Sequence, residues 1–253
     1  MEINFKGKTV IITGATGYLG RVMVRTFAKC GADVIIHFLK NYEMAESLKN
    51  EVLSENRQVM LAQADITKQS DIIHMKEQIE NDFKMPDIVV NNAVIQYQWT
   101  SILDQEISDF ESQFESCVMH NVYMAKAFIP YMKAKREGRF IGINTECSML
   151  NNANSGAYAS AKRGMDGIYR VLAKEVGPYN ITVNQVAPGW TISDRDRRNN
   201  TEHPQEHEAR LPLRRRGTDQ EVANAVIFLA SEFASYITGA YIPVCGGNCM
   251  PAI

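Results

Sequence analysis

The chain of 253 residues lacks the features that would assign it to several special classes of protein. Its five cysteines are odd in number and scattered, so no disulfide framework is predicted and a reducing, cytoplasmic location is expected. The formal net charge is −2, which provides no basic field for nucleic acid or an anionic membrane. No apolar run approaches the roughly 20 residues of a membrane span. Lys6, Gly7 and Lys8 interrupt the apolar region that a signal peptide would need.

The sequence also provides little for a metal centre or for a division into domains. Cys245 and Cys249 form a C-x3-C pair, but no second pair of ligands lies nearby, so no metal site is predicted. No repeat, low-complexity tract or Pro/Gly-rich linker interrupts the chain. A single domain over 1–253 is therefore predicted, with an N-terminal half of about 1–140 and a C-terminal half of about 141–253.

Short apolar segments alternate with amphipathic segments along the chain. The segments rich in Val and Ile are predicted to be buried strands: 8–14, 32–38, 58–65, 87–93, 138–145, 181–189 and 240–247. The segments between them are predicted to be helices: 18–30, 41–55, 69–83, 104–135, 156–176 and 219–231. This alternation predicts an α/β Rossmann fold, a doubly wound parallel sheet of about seven strands with helices on both faces.

A glycine-rich turn follows the first predicted strand. Gly14, Gly17 and Gly20 form the pattern G-x2-G-x2-G directly before a predicted helix. Glycine lets backbone N–H groups approach a pyrophosphate at the positive end of a helix. No Gly-Lys-Ser/Thr follows, so the phosphate loop of an NTPase is excluded. The strand-to-helix context predicts dinucleotide binding, while an ordinary tight turn is the alternative.

The end of the second predicted strand bears on the choice of dinucleotide. An Asp or Glu at this place would bind the ribose 2′-hydroxyl of NAD, and the segment 37–41 has neither. Lys40, together with His37, is a candidate to bind a 2′-phosphate instead. NADP(H) is therefore favoured and NAD(H) stays possible, since Lys40 also fits a solvated residue at a helix start.

Tyr158 and Lys162 lie four residues apart in a predicted helix, so both side chains reach one face. A nearby cation favours the phenolate and lowers the pKa of a tyrosine from its ordinary value near ~10. A tyrosine tuned in this way can transfer protons near neutral pH. The alternative is an ordinary helix with a surface Tyr and Lys.

The segment 190–216 interrupts the alternation of strands and helices. It is long and polar, and it has seven Arg against five Asp and Glu. Long loops in compact domains are usually functional or disordered. The segment is interpreted as a lid over a site at the carboxyl edge of the sheet, or as a solvated surface insertion.

The ordered series of these motifs resembles the short-chain dehydrogenase/reductase family in its common branch, from Phe5 to Gly247. The matching motifs are TGATGYLG at 13–20, Asp65 in QADIT, NNAV at 91–94, YASAK at 158–162, ITVNQVAPGW at 181–190 and ITGAYIPVCGG at 237–247. The resemblance implies an NAD(P)-dependent oxidoreductase that interconverts a carbonyl and a secondary alcohol. The N-terminal half would then bind the cofactor, and the C-terminal half would hold the catalytic and substrate residues.

The resemblance also implies roles for individual positions. Tyr158 would be the general acid or base, Lys162 would lower its pKa and bind the nicotinamide ribose, and Thr145 would orient the substrate oxygen. The residues implied to bind the cofactor are Gly14, Thr16, Gly17, Tyr18, Leu19, Gly20, Leu39, Lys40, Asp65, Ile66, Asn92, Ala93, Tyr158, Lys162, Pro188 and Thr191. A homo-oligomer, a tetramer or dimer formed through the segments 104–135 and 156–176, is also implied.

The chain departs from the family pattern at several positions. Thr145 stands where the family has a catalytic Ser, with Ser148 as the alternative after a shift of register. Cys117 stands where the family has an Asn that supports a proton relay; it is interpreted as a core residue, with Asn121 as a possible replacement for the relay. Tyr18 and Val94 replace glycines, which puts side chains where the backbone would be bare.

The residues expected to line the substrate pocket mix amides, a carboxylate and aromatics: Gln96, Tyr97, Gln98, Trp99, Glu146, Asn152, Asn154 and Trp190. Amides and carboxylates bind hydroxyls, and aromatic faces bind the apolar faces of rings. A polar, hydroxylated small-molecule carbonyl is therefore one hypothesis for the substrate. A 3-oxoacyl thioester bound by lid arginines is the alternative within the family, and a non-catalytic dinucleotide-binding regulator is the alternative from another class.

Overall fold

The computed structural model describes residues 2–251 of the chain. Within this range seven parallel strands form one sheet with the order β3-β2-β1-β4-β5-β6-β7. The strands are β1 Thr9–Ile12, β2 Asp33–Phe38, β3 Val59–Gln63, β4 Ile88–Asn91, β5 Gly138–Ile143, β6 Ile181–Pro188 and β7 Tyr241–Val244. This architecture confirms the prediction of a doubly wound α/β fold.

The helices lie between the strands in chain order. They are α1 Tyr18–Lys29, α2 Tyr42–Ser54, α3 Gln69–Asp82, α4 Ile107–Phe114, α5 His120–Lys135, α6 Cys147–Leu150, α7 Gly156–Val176, α8 Asp194–Asn199, α9 Gln205–Glu208 and α10 Asp219–Ala230. A π-helical segment, Glu115–Met119, joins α4 to α5. Short 3₁₀ turns follow α7 and α10 at Gly177–Tyr179 and Glu232–Ala234. No helix within residues 2–251 combines the length and apolar character needed to cross a bilayer.

The core has two layers because the strands are apolar on both faces. Every residue of β1, β2, β4 and β5 is buried. On one face, α1, α2 and α10 cover the sheet with side chains such as Phe27 and Val226. On the other face, α3, α5 and α7 contribute side chains such as Met75 and Phe128. Burial on both faces explains why these strands have continuous Val and Ile runs instead of an alternating pattern.

The parallel register brings the carboxyl ends of the central strands to one edge of the sheet. Ile12 of β1 pairs with Val90 of β4, and Asn91 pairs with Gly142 of β5. The strand order reverses at β1, which lies between β2 and β4. A crevice for ligands opens at such a switch point, outside the carboxyl ends of the strands.

The predicted helix over 104–135 differs from the structure at its start and in its middle. The helix begins at Ile107, and the π-helical segment Glu115–Met119 interrupts it before α5. Here side chains compete for backbone carbonyls: Ser116 Oγ donates to Ser112 O at 2.8 Å, and Asn121 Nδ2 donates to Cys117 O at 2.6 Å. Such local bonds offer the backbone an alternative to the regular α-helical ladder.

A buried polar network joins α7 to the sheet and to α5. The Tyr169 hydroxyl donates to Asn121 Oδ1 at 2.7 Å and accepts a hydrogen bond from Asn91 Nδ2 at 2.9 Å. Tyr169 is fully buried, and Gly142 of β5 leaves room for it, since a Cβ there would lie 2.5 Å from the hydroxyl oxygen. The network therefore fixes α7, the helix of Tyr158 and Lys162, against the sheet.

We expect Tyr169→Phe to lower the free energy of unfolding by about 1–3 kcal/mol, because Asn121 and Asn91 each lose a buried partner. Urea unfolding followed by circular dichroism measures the change. Tyr236→Phe is the matched control, since Tyr236 is fully exposed. Equal stability of the two variants would contradict a structural role for the network.

Candidate functional site

The glycine-rich turn places bare backbone at the amino end of α1. Gly14 has a φ of +62°, and a Cβ there would lie 2.9 Å from the Ala93 Cα. A Cβ at Gly20 would lie 2.3 Å from the Gly14 carbonyl oxygen. Gly17 is the N-cap of α1 and provides no side-chain cap, so the first N–H groups of the helix stay available to an anion. Thr16 and Tyr18 beside it are half-buried, and Leu19 packs against the core.

The side chain of His37 is buried, so it is not available to bind a 2′-phosphate as predicted. The imidazole is 2% exposed; Nδ1 accepts a hydrogen bond from Gly14 N at 3.0 Å and Nε2 donates to Ala64 O at 3.1 Å. Burial lowers the pKa of His37 to about 4, so the ring is neutral near pH 7. His37 therefore supports the glycine turn from beneath, and this part of the prediction is wrong.

The end of β4 holds the glycine turn from its other side. The Thr13 hydroxyl oxygen accepts hydrogen bonds from the backbone N–H groups of Asn92 at 2.9 Å and Ala93 at 3.1 Å. Asn92 Nδ2 donates to Thr13 O at 3.0 Å and to Gly14 O at 3.1 Å. Asn92 and Ala93 thus lie directly after β4 and beside the glycine turn, and their hydrogen bonds fix its shape.

The residues that follow β2 and β3 lie at the carboxyl edge of the sheet. Leu39 and Lys40 are exposed, whereas Ile66 is buried. Asp65 accepts hydrogen bonds from the Thr67 N–H at 3.0 Å and the Thr67 hydroxyl at 2.7 Å. These bonds to Thr67 lower the pKa of Asp65 although burial opposes them, so its carboxylate is charged near neutral pH.

Tyr158 and Lys162 lie on one face of α7 at the carboxyl edge of the sheet. Lys162 Nζ lies 5.7 Å from the centroid of the Tyr158 ring and donates to Ile143 O at 2.6 Å. Lys162 is 4% exposed, which places a cation deep in the crevice. The Tyr158 backbone N–H donates to the Tyr97 hydroxyl at 2.9 Å, and this bond fixes the first turn of α7.

The protein atoms do not lower the pKa of Tyr158, contrary to the expectation from the Tyr–Lys spacing. Burial raises the pKa of Tyr158 well above its ordinary value, and the side chain of Thr145 opposes this shift only in part. Burial also lowers the pKa of Lys162. Burial disfavours the charged form of each group, so the phenol stays protonated at neutral pH.

Thr145 lies directly after β5 and is 7% exposed. Its Oγ1 accepts a hydrogen bond from Cys147 N at 3.2 Å, which leaves the hydroxyl proton free to be donated. Ser148, the alternative to Thr145, is fully buried; its hydroxyl donates to Thr145 O at 2.9 Å. Ser148 therefore faces the core, and Thr145 is the hydroxyl beside Tyr158.

Cys117 and Asn121 are both parts of the core. Cys117 is 1% exposed and packs in a small cluster with Val118 and Ala161, against which Val94 and Tyr158 also pack. Asn121 uses both ends of its amide in the network with Tyr169 and in its bond to the Cys117 carbonyl. The Asn121 amide therefore already has a partner at its oxygen and at its nitrogen.

A cavity of about 610 Å³ opens beside Tyr158. Of the eight residues expected to line the substrate pocket, four line it: Trp99, Glu146, Asn152 and Trp190. The remaining residues of its wall are Thr145, Cys147, Leu150, Tyr158, Gly189, His207, Arg210 and Asn248. Gln96, Gln98 and Asn154 are exposed outside it, and Tyr97 lies next to Trp99 with ring centroids 6.4 Å apart.

Within residues 2–251 no group of three His, Cys, Asp or Glu side chains is placed to hold a metal ion.

Comparisons with known proteins agree with this geometry. A family model described as enoyl-(acyl carrier protein) reductase matches residues 14–248. The 3-oxoacyl-[acyl-carrier-protein] reductase FabG of Escherichia coli is 35% identical over 250 residues, 98% of this chain and 100% of that protein. FabG of Aquifex aeolicus is 32% identical over 98% of this chain and 99% of its own length. A structure titled a putative gluconate dehydrogenase from Agrobacterium tumefaciens has a TM-score of 0.92 at 26% identity and covers 100% of both chains.

The chain belongs to the short-chain dehydrogenase/reductase family. It is an NAD(P)-dependent oxidoreductase with a single Rossmann-type sheet.

Segment 190–216 of this dehydrogenase is folded and not an irregular insertion. Pro188 ends β6, and Thr191 follows at the start of the segment, which contains α8 and α9. Arg216, at its end, is fully buried and stacks on Trp190 with its guanidinium carbon 4.2 Å from the ring centroid. Its guanidinium donates to Thr191 O at 2.7 Å and to Asp196 Oδ2 at 3.0 Å.

Arg216 also reaches the middle of the segment. It donates to the carbonyl oxygens of Trp190, Thr201 and Glu202 at 3.1, 3.3 and 3.2 Å. One buried side chain at the end of the segment therefore binds the start and the centre of the segment, and it stacks on Trp190 in the wall of the cavity. This role has no sequence signal, because Arg216 is one of seven arginines in the segment.

Tyr18 connects the glycine turn to the lid. The guanidinium carbon of Arg197 in α8 lies 5.7 Å from the Tyr18 ring centroid, and Arg197 donates to both carboxylate oxygens of Asp219 at 3.2 Å. Arg21 of α1 forms an ion pair with Asp194 of α8. The side chain of Tyr18 thus packs toward α8, and α1 and segment 190–216 share contacts.

Several residues of the cavity wall were missed by sequence reasoning. His207 and Arg210 lie in the predicted lid but were not singled out, and Asn248 follows the last strand. The predicted topology could have placed Asn248 in this wall, because the carboxyl ends of β5, β6 and β7 lie at the same edge of the sheet.

We expect Arg216→Met to loosen the lid, because Asp196 and several carbonyls lose their donors while the apolar stem is kept. The free energy of unfolding should fall by about 3 kcal/mol, the low end for a broken buried ion pair. Hydrogen exchange of segment 190–216, measured by mass spectrometry, should accelerate by at least tenfold. Arg195→Met is the control, since Arg195 is exposed and makes no hydrogen bond or ion pair within residues 2–251. Unchanged exchange in Arg216→Met would refute this role.

Proposed function

We propose that this enzyme interconverts a carbonyl and a secondary alcohol, with Tyr158 as the proton donor or acceptor. The observation that supports the proposal is the convergence of Tyr158, Lys162 and Thr145 at the edge of the sheet where the glycine turn opens. A small carbonyl in the cavity can contact the hydroxyls of Tyr158 and Thr145, which line it together. This convergence is the arrangement that proton transfer to one oxygen atom requires.

The proposed mechanism assigns each side chain a task at the substrate oxygen. In the direction of reduction, the protonated phenol of Tyr158 donates its proton to the carbonyl oxygen as negative charge develops there. Thr145 donates its free hydroxyl proton to the same oxygen and holds it in place. Lys162 stabilises the phenolate that remains, because its buried ammonium lies 5.7 Å from the centroid of the Tyr158 ring. In the direction of oxidation, Tyr158 must first lose its proton, so alkaline pH favours that direction.

The crevice beside these groups suits a dinucleotide cofactor. The glycine turn leaves a bare backbone cradle that a Cβ at Gly14 or Gly20 would fill. Asn92 and Ala93 would border the cofactor on one side, Asp65 and Ile66 would hold its adenine, and Pro188 and Thr191 would lie beside the nicotinamide. A bound nicotinamide cofactor supplies the hydride, and the protein orients it.

We propose NADP(H) as the preferred cofactor, since no acidic residue ends β2. Lys40 is exposed at this place and forms no ion pair within the described part of the chain. Its ammonium is therefore available to a 2′-phosphate.

The 3-oxoacyl thioester stays a second candidate for the substrate. The names of the reductases from Escherichia coli and Aquifex aeolicus support it. Arg210 at the cavity wall is exposed and makes no side-chain hydrogen bond among residues 2–251, so it is available to a phosphate of the carrier arm.

We also propose that the enzyme forms a homo-oligomer. The outer faces of α4 and α7 expose large apolar side chains, with Ile107 71%, Phe114 50% and Val171 56% exposed. An open groove of about 720 Å³ between them is lined by Phe110, Phe114 and Ala161, among others. Burial of these side chains by a second copy would remove apolar surface from water.

We expect Tyr158→Phe to reduce kcat about 10²- to 10⁴-fold, the contribution typical of a general acid. The assay follows absorbance of the reduced cofactor with a panel of ketones and alcohols. The Kd for NADP⁺ should change less than threefold, since the ring stays in place. Tyr179→Phe, at the opposite end of the strands, is the matched control. Retained turnover in Tyr158→Phe would refute the proton-donor role. If the wild type binds the cofactor but turns over no substrate of the panel, the protein is better described as a non-catalytic regulator.

We expect Lys40→Asp to weaken NADP⁺ binding about 10- to 100-fold, because one charged hydrogen bond is replaced by repulsion. NAD⁺ binding should be unchanged or tighter, since the new carboxylate can accept from a ribose hydroxyl. Isothermal titration calorimetry gives both Kd values without turnover. Lys126→Asp, an exposed site on α5, controls for the change in net charge. An equal loss for both cofactors in Lys40→Asp would contradict a contact with the 2′-phosphate.

A further inference from the structure

Glu146 places a buried carboxylate in the wall of the substrate cavity. It is 6% exposed and follows Thr145, so it lies next to the hydroxyl that would hold the reacting oxygen. Its backbone is held firmly: Glu146 N donates to Pro188 O at 3.0 Å, and Glu146 O accepts from Met149 N at 2.9 Å. The backbone of Glu146 is therefore held where β5 and β6 end, and the mechanism of proton transfer does not use its side chain.

The neighbours of this carboxylate hold it in place, but they offset only part of the free-energy cost of burying its charge. Asn248 Nδ2 donates to Glu146 Oε2 at 3.0 Å. That oxygen lies against Gly189, since a Cβ there would be 3.0 Å from it. Asn248, His207, the Trp190 N–H and the Cys245 thiol all favour the charged form, yet burial outweighs them and raises the pKa of Glu146. A further hydrogen-bond donor would stabilise the charged form of this buried carboxylate.

The other walls of the cavity have the chemistry that binds hydroxylated molecules. Trp99 and Trp190 are 45% and 51% exposed and present aromatic faces to the space. Trp99 packs beside Tyr158 with ring centroids 5.7 Å apart, close to the reacting group. Asn152 and Asn248 add amides to the wall. Aromatic faces cover the C–H faces of a sugar or polyol, while amides and carboxylates bind its hydroxyls.

We propose that Glu146 is a specificity-determining residue that accepts a hydrogen bond from a substrate hydroxyl near the reacting carbonyl. The substrate class is then a polyhydroxylated ketone or its alcohol, such as a sugar or polyol. This inference rests on the proposed carbonyl–alcohol chemistry, and it selects one substrate class for it.

The same geometry disfavours an acyl chain at this place. An apolar chain beside Glu146 would remove water from the carboxylate without supplying a donor, which is costly for a buried polar group. Sites built to bind a substrate hydroxyl reject the analogue that lacks it far more strongly than apolar pockets reject an extra group. Glu146 thus discriminates between a polyol and the acyl part of a 3-oxoacyl thioester.

The two tryptophans of the chain provide a direct test, because both line this cavity. Intrinsic fluorescence of the full-length protein with saturating NADP⁺ reports ketone binding without reduction of the carbonyl, since an oxidised cofactor cannot supply a hydride. Constant absorbance of the reduced cofactor in the same sample shows that no hydroxyl of erythrulose or fructose is oxidised during the titration. The probes are two matched pairs with equal carbon skeletons, erythrulose with 2-butanone and fructose with 2-hexanone, and also acetoacetyl-coenzyme A. Steady-state reduction of each probe with NADPH measures kcat/KM in parallel.

In the wild type we expect at least one hydroxylated ketone to bind about 10- to 100-fold more tightly than its unsubstituted partner, the range for a hydrogen bond to a charged group. Glu146→Leu should remove this preference in both Kd and kcat/KM. Glu146→Gln should keep part of it, because its amide oxygen still accepts a hydrogen bond. Glu206→Leu is the control, since Glu206 is exposed on α9 outside the cavity wall. The Kd for NADP⁺ confirms that each variant is folded.

The outcomes separate this inference from the proposed function. Turnover of acetoacetyl-coenzyme A alone, or an equal preference in wild type and Glu146→Leu, would overturn the role of Glu146 but leave carbonyl reduction intact. A hydroxyl preference in Kd that Glu146→Leu abolishes, without turnover of any probe, would uphold the binding role and refute the reaction. Failure of every probe to bind would overturn the proposed substrate class.

Discussion

The parallel register of the central strands is the constraint on which the site depends. It brings the carboxyl ends of β1, β4, β5 and β6 to one edge, so the segments that follow these strands meet although they are far apart in the chain. The glycine turn follows β1, Asn92 follows β4, Thr145 and Glu146 follow β5, and the lid follows β6. The hydrogen bonds of Thr13 and Asn92 then join two of these segments directly.

Burial acts on the ionisable groups of the site in opposite directions. It raises the pKa of Tyr158 and of Glu146 and lowers the pKa of Lys162, because it disfavours each charged form. The site therefore favours a neutral phenol that can donate a proton and a carboxylate that gains from a hydroxyl donor. The buried ammonium of Lys162 lies 5.7 Å from the centroid of the Tyr158 ring, where it is placed to stabilise a phenolate.

The fold was predictable from the sequence because the apolar runs of the strands are continuous and their ends have clear signals. The break in the helical stretch 104–135 was not predicted, since Ser116 and Asn121 bind backbone carbonyls in a way that an apolar pattern does not reveal. The role of His37 was also predicted incorrectly, because a histidine at the end of a strand can be either exposed to solvent or buried. Its two hydrogen bonds, to Gly14 and to Ala64, are tertiary contacts.

The sequence by itself determined the family, the reaction class and the residues at fixed spacing, since Gly14, Gly17 and Gly20, and Tyr158 with Lys162, lie within single local elements. Only the tertiary structure decided which polar residues share the cavity. Glu146 and Asn248 are far apart in the chain and meet because β5 and β7 end at the same edge. It also decided the role of Arg216, because the carbonyls that it binds converge only when the lid folds around it. Contacts of this kind depend on long-range packing, which no local pattern encodes.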